Sequence, residues 1–170
     1  MNRNTGRIIS ESALRLAITE NQLEPLTLSD QFYLSRSALP VAESVFREWY
    51  KQHAFQEITA RVEWYASRNG YRYQRVKVTE ARTRWGSCGQ HGSLNFSWRL
   101  VMAPVRVIDY VVIHELVHLK EKNHSKAYWN KVKLLMPDYR QQIDWLNANG
   151  YMLDLRATPP AFREESPQSH

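Results

Sequence analysis

The run His114-Glu115-Leu116-Val117-His118, with His124 after it, constrains this chain more than any other feature. On a helix, residues i and i+4 lie one above the other on a single face. Two imidazoles placed so can reach one cation at about 2.0–2.1 Å. Glu115 stands one residue further around, out of that ligand position, where it can hold the water that completes the site. A catalytic zinc needs a third protein ligand and one open position. His124 is the candidate. An unbroken helix would carry it about 9 Å further along the axis and turn it to another face. His124 therefore joins the pair only if the helix stops after His118 and the chain doubles back. Asn123 tolerates the left-handed conformation that ends helices. Ser125 is a good N-cap for a new helix directly afterwards.

The expectation is one Zn2+ on His114, His118 and His124, with Glu115 as the carboxylate that takes a proton from water and hands it on. A purely structural zinc would want a fourth protein ligand, for which Cys88 or His91 is available in Cys-x-x-His spacing. The spacing His-Glu-x-x-His-x5-His is that of the metzincin motif, but Glu121 stands where that motif has glycine. The turn must then be made differently.

The rest of the sequence frames this helix. The 170 residues suffice for one hydrophobic core. A lone cysteine, Cys88, excludes an internal disulfide and fits a reducing compartment. The basic N-terminus lacks the apolar core of a signal peptide, and no segment approaches the roughly 20 apolar residues of a membrane span. A soluble, cytoplasmic protein with no membrane partner is expected. The net charge is +6. Seven cations against Glu63 and Glu80 fall between Arg61 and Arg84, either a solvated surface or a nucleic-acid contact.

Residues 1–37 read as an N-terminal extension with an amphipathic helix from about Glu11 to Asn21. Pro40 opens a long helix. Its apolar positions Val41, Val45, Phe46, Trp49, Phe55, Ile58, Val62 and Tyr65 leave room for a break near His53. Asn69-Gly70 ends it. Tyr71–Glu80, Arg84–Cys88 and Ser93–Leu100 read as strands, with a bulge allowed at Gln74-Arg75. Pro104 opens a buried helix to about Leu119. Two more helices run from Ser125 to Met136 and from Asp138 to Asn149, and the tail after Leu155 reads as disordered. The fold expected is α+β, a small antiparallel sheet packed on the histidine-bearing helix and its neighbours, in a domain spanning 38–155 between the extension and a tail at 156–170.

From about Ala42 to Leu146 the chain resembles the YgjP-like metallopeptidases, relatives of the SprT-like and WLM zinc peptidases. The resemblance rests on Arg84-Trp85-Gly86-Ser87-Cys88, Asn95, Trp98-Arg99-Leu100, Ala103-Pro104 and Ile108-Asp109-Tyr110-Val111-Val112. It continues through His114 to Lys120, Asn123-His124-Ser125, Tyr128-Trp129 and Leu135 to Tyr139. It implies a zincin-like fold, zinc on the three histidines, Glu115 as catalytic carboxylate and a protein or peptide substrate. The SprT-like link also suggests a nucleic-acid-associated enzyme. A metal-binding module without turnover is the remaining alternative.

Other residues carry paired readings. Trp85 is core or touches substrate, and Gly86 permits a close backbone approach. Either the Arg84–Cys88 or the Ser93–Leu100 strand can accept an extended peptide as an added strand. Tyr128 or Arg84 can donate to an oxyanion, or Tyr128 packs with Trp129. Met136 occupies a Met-turn position or ends a helix. Asp109 orients a ligating histidine or faces another element.

Overall fold

A computed structural model describes residues 15–20 and 22–153. Two three-stranded sheets and four helices share one core. The first sheet holds β1 (Leu16–Thr19), β2 (Leu26–Leu28) and β3 (Phe32–Ser35), in the order β1-β3-β2. The helix expected over Glu11–Asn21 is corrected here. Residues 16–19 are a strand paired in parallel with β3, and the rest of that segment, 11–14 and 21, lies outside the described residues. A short isolated helix is marginal in water. The non-local ladder supplies partners that such a helix lacks, including Phe32 N–H to the Arg15 carbonyl at 2.9 Å.

A 3₁₀ segment over Arg36–Val41 contains Pro40, and α1 (Ala42–Asn69) follows without a break at His53. Gly70 closes it at φ 64°, the left-handed cap that the Asn-Gly pair predicts. The buried stripe of α1 is Tyr50, Ala54, Ile58, Val62 and Ala66, each four residues apart. Phe55 and Val41, expected on the apolar face, stand in solvent. Small Ala54 and Ala66 fill positions where the helix meets the core closely. Phe32 of β3 packs edge-on against Phe46 and Trp49 at 5.1 and 4.9 Å, joining the first sheet to α1.

The second sheet holds β4 (Arg75–Thr79), β5 (Gly86–Cys88) and β6 (Ser93–Ser97) in the order β4-β6-β5. It is small, as expected, but mixed. β5 is antiparallel to β6, whereas β4 runs parallel to it. The chain from Glu80 to Gly92 is long enough for the crossover that a parallel pair requires. Leu94 and Phe96 of β6 are fully buried, while the opposite face carries Ser93, Asn95, Arg75 and Lys77. β6 ends in a 3₁₀ segment, Trp98–Met102, so the Ser93–Leu100 run is strand only to Ser97.

Then come α2 (Val105–Val117), α3 (Lys126–Leu135) and α4 (Tyr139–Asn149). α2 is buried on nearly every side, as its Val111-Val112-Ile113 centre requires. It packs against α1, α3, α4 and β5, so its last turn is held from several directions. Ser125 caps α3 by accepting the Tyr128 N–H. Among the described residues no helix is long and apolar enough to cross a membrane. The tail expected to be disordered, after Leu155, lies outside the described residues.

Candidate metal centre

The predicted helix break is present. α2 gives way at Val117–His118 to a tight turn, with the N–H groups of Lys120 and Glu121 both bonded to the Val117 carbonyl at 3.0 and 2.9 Å. The chain then reverses into the Ser125 cap. His124 comes back over the helix end. Its Nε2 lies 3.1 Å from Nε2 of His118 and 3.2 Å from Nε2 of His114. Three ring nitrogens bonded tetrahedrally at zinc distances would be separated by about 3.3–3.4 Å. Three lone pairs converging so closely suit a shared cation better than hydrogen bonds among themselves.

An outer nitrogen fixes the tautomer of His118. His118 Nδ1–H donates to the Glu121 carbonyl at 2.9 Å, which leaves Nε2 unprotonated. His114 Nδ1 lies 3.3 Å from the Tyr110 hydroxyl. Burial, then the neighbouring imidazoles, push the His114 pKa down to about 3, and burial lowers that of His118. Both rings are thus neutral, the form that binds metal. Tyr110 precedes His114 by one helical turn, so the i−4 spacing was legible; the Glu121 carbonyl was not.

Glu121 also explains how the turn forms without glycine. Its carboxylate is paired with Lys131 of α3 while its carbonyl holds His118. We expect Lys131→Met to weaken metal binding by about tenfold, within the range typical of outer partners of metal ligands. Chelator competition on the purified variant measures this. Unchanged affinity would show that the turn does not need the pair.

Tyr128 lies under the cluster. It is fully buried, its ring within 4.6–5.3 Å of all three imidazoles. Its hydroxyl donates to the His114 carbonyl at 3.1 Å, so it braces the end of α2 and is not free for an oxyanion. Trp129 stacks on His124 at 5.7 Å. Among the described residues the three histidines make one metal-capable group, which neither Cys88 nor His91 joins. Met136 is fully buried at the end of α3. Asp109 faces away, bonded to Arg61 of α1 at 2.5 Å, and orients no histidine.

Glu115 is 4% exposed, and burial raises its pKa to about 8 in the metal-free protein, partly offset by Arg84. It abuts the edge strand. A Cβ on Gly86 would lie 2.6 Å from Glu115 Oε1 and 2.8 Å from its Cγ. This is the close approach that a glycine there predicts. Beside Glu115 and His114 opens a cleft of about 310 Å³, bounded by half-buried Trp85, by buried Tyr110 and Val111, and by Ile143 and Leu146 of α4. The α4 residues carried no signal in the sequence.

The basic stretch does not gather on one face as a unit. Arg61 is engaged with Glu57 and Asp109, and Arg68 lies over the Trp64 ring. Arg75, Lys77, Arg82 and Arg84 remain exposed on β4 and the loop after it.

Comparison with known proteins bears on the fold and the family. The crystal structure of the metallopeptidase zymogen of Pyrococcus abyssi abylysin superimposes with a TM-score of 0.50 at 19% identity, over 54% of this chain and 93% of that one, a likeness of fold. A UTP pyrophosphatase of Escherichia coli (strain K12) is 44% identical over 39 residues, 23% of either chain. The match therefore spans less than a quarter of that relative's length. The YgjP-like metallopeptidase domain matches residues 4–149. The chain belongs to the YgjP-like metallopeptidase family.

Proposed function

We propose that the protein is a zinc-dependent peptidase that cleaves extended segments of protein chains. The observation that carries this reading is the convergence of His114, His118 and His124 beside a buried Glu115 at a sheet edge. Three neutral imidazoles fit Zn2+ and leave one position open. When bound, zinc would make water more acidic and polarise the scissile carbonyl. Glu115 receives the proton of the attacking water and delivers it to the leaving amine. Its position suits that exchange, because a buried carboxylate beside the metal ligands lies within reach of a water held there.

The substrate joins the second sheet as a further strand on β5. β6 is central and already paired on both sides, so of the two strands expected to accept a peptide only β5 has a free edge. Trp85 accepts from Ser97 and Gly89 donates to Ser93, at 2.9 and 2.8 Å, so these alternate residues face β6. The main-chain groups of Gly86 and Cys88 consequently point outward.

A second reading is hydrolysis of a phosphoanhydride. It draws on the relative described as a UTP pyrophosphatase and on the exposed Arg84, whose guanidinium suits a phosphate. A nucleic acid held by Arg75, Lys77 and Arg82 would be recognised by binding that falls steeply with salt. One preparation separates the main readings: about one zinc per chain, assayed against an unfolded protein and against UTP. Zinc-dependent cleavage of the protein is expected. Release of pyrophosphate with no proteolysis would replace the peptidase reading by the second.

A further inference from the structure

β5 separates two clefts, and Arg84 and Gly86 line both. The first is the largely apolar cleft over Glu115. The second, about 270 Å³, lies on the open face of the sheet and is bounded by Thr79, Ala81, Ser87, Asn95 and Ser97. Its chemistry is one-sided, for no acidic side chain lines it. Thr79 and Ser97 spend their hydroxyl protons on the Phe96 and Ala81 carbonyls, at 3.3 and 2.8 Å. Ser87 differs. Its oxygen accepts from Asn95 Nδ2 at 3.3 Å, which leaves its O–H to donate outward. Arg84 has no ion-pair or hydrogen-bond partner of its own among the described residues, and Arg82 is exposed two residues before it. A basin offering a hydroxyl donor and an arginine fork, with no carboxylate of its own, fits an anion.

Resting on the peptidase reading, we infer that this basin selects an acidic side chain of the substrate. Side chains of an added strand alternate between the two faces of the sheet. The substrate residue facing Gly86 directs its side chain toward α2 and the apolar cleft. The residues on either side of it point onto the Ser87 face, within the domain of Arg84. The preferred substrate is an extended segment in which an apolar residue lies beside an aspartate or glutamate at the scissile bond.

The test is cleavage-site profiling. The zinc-loaded full chain digests reduced, alkylated casein, and the products are mapped by mass spectrometry. Asp and Glu should be enriched about fivefold at a position next to the cut, the scale of one partly exposed ion pair. Arg84→Glu should shift that position toward Lys and Arg, and Ser87→Ala should reduce the acidic preference. A wild-type profile without acidic enrichment, or one that Arg84→Glu leaves unchanged, overturns the inference while the peptidase reading stands. If casein is not cut, zinc-loaded Glu115→Gln is titrated with a labelled Glu-containing peptide and its Gln counterpart. Preference for the Glu peptide supports the basin and removes only the hydrolysis. Equal binding, or none, overturns the inference.

Discussion

Glu115→Gln is expected to lower peptide hydrolysis by about 10²–10⁴-fold while one zinc per chain is retained. The amide has the shape of the carboxylate, so it fits the slot against Gly86 and leaves the three imidazoles in place. What disappears is the ability to take a proton from water. Turnover equal to wild type, measured on protein of verified zinc content, would remove Glu115 from the mechanism. The same substitution has a signature in the metal-free protein. Burial lifts Glu115 from 4.5 to about 8, so between those values the folded chain holds a proton that the unfolded chain has released. That contribution to stability is full below about 4.5 and is lost as pH rises through about 8. His114 acts in the opposite sense. Its value falls from 6.5 to about 3, so its contribution is full above 6.5 and is lost as pH falls toward 3. Chelator-treated wild type should therefore lose thermal stability in mild alkali, and Glu115→Gln should keep it. Parallel melting profiles from pH 6 to 9 would refute this assignment of the alkaline loss.

The parts of this site legible in the sequence are those set by local rules. His114 and His118 share a face because α2 is a helix, and Ser125 caps α3 because its side chain reaches the Tyr128 N–H. The return of His124 followed from the requirement that a continuous helix could not deliver it. Non-local pairing was opaque. Residues 16–19 show nothing locally to mark them for a parallel ladder with β3, and the parallel match of β4 to β6 depends on β5 being placed between them in sequence. Of the apolar face expected for α1, Ile58 and Val62 are fully buried and Val45, Phe46, Trp49 and Tyr65 pack on the core, whereas Phe55 departs from it for a related reason. Phe55 is more apolar than Ala54, but α1 turns the small Ala54 inward against the core and leaves Phe55 half exposed. Tyr128 shows the same limit at the site. Its hydroxyl suggested chemistry, yet the end of α2 needed a partner for the His114 carbonyl, and Tyr128 supplies it.

Gly86→Ala is expected to cost about 10–10³-fold in turnover without loss of zinc, through position alone. The new methyl would meet Glu115 at Oε1, Cγ and Cδ, at 2.6, 2.8 and 3.0 Å, so turning the carboxyl group does not relieve the clash. Glu115 has little freedom to retreat, being buried on a helix packed on several sides. β5 has more, because it is paired on one side only. Part of the strain goes into lifting the edge strand, which moves the very main chain that the substrate would join. Overpacking of this kind costs about 1–3 kcal/mol of stability. The three atoms nearest the new methyl all belong to Glu115, so zinc content should match wild type. A double-mutant cycle isolates the contact. In a Glu115→Ala background the side chain that obstructs the methyl is gone, and Gly86→Ala should then cost little in thermal or urea unfolding. A stability loss as large in that background as in wild type would mean that the glycine serves the bend of β5 itself rather than the carboxylate beside it. Full activity in the single variant would mean that Glu115 finds its working position without the space Gly86 leaves for it.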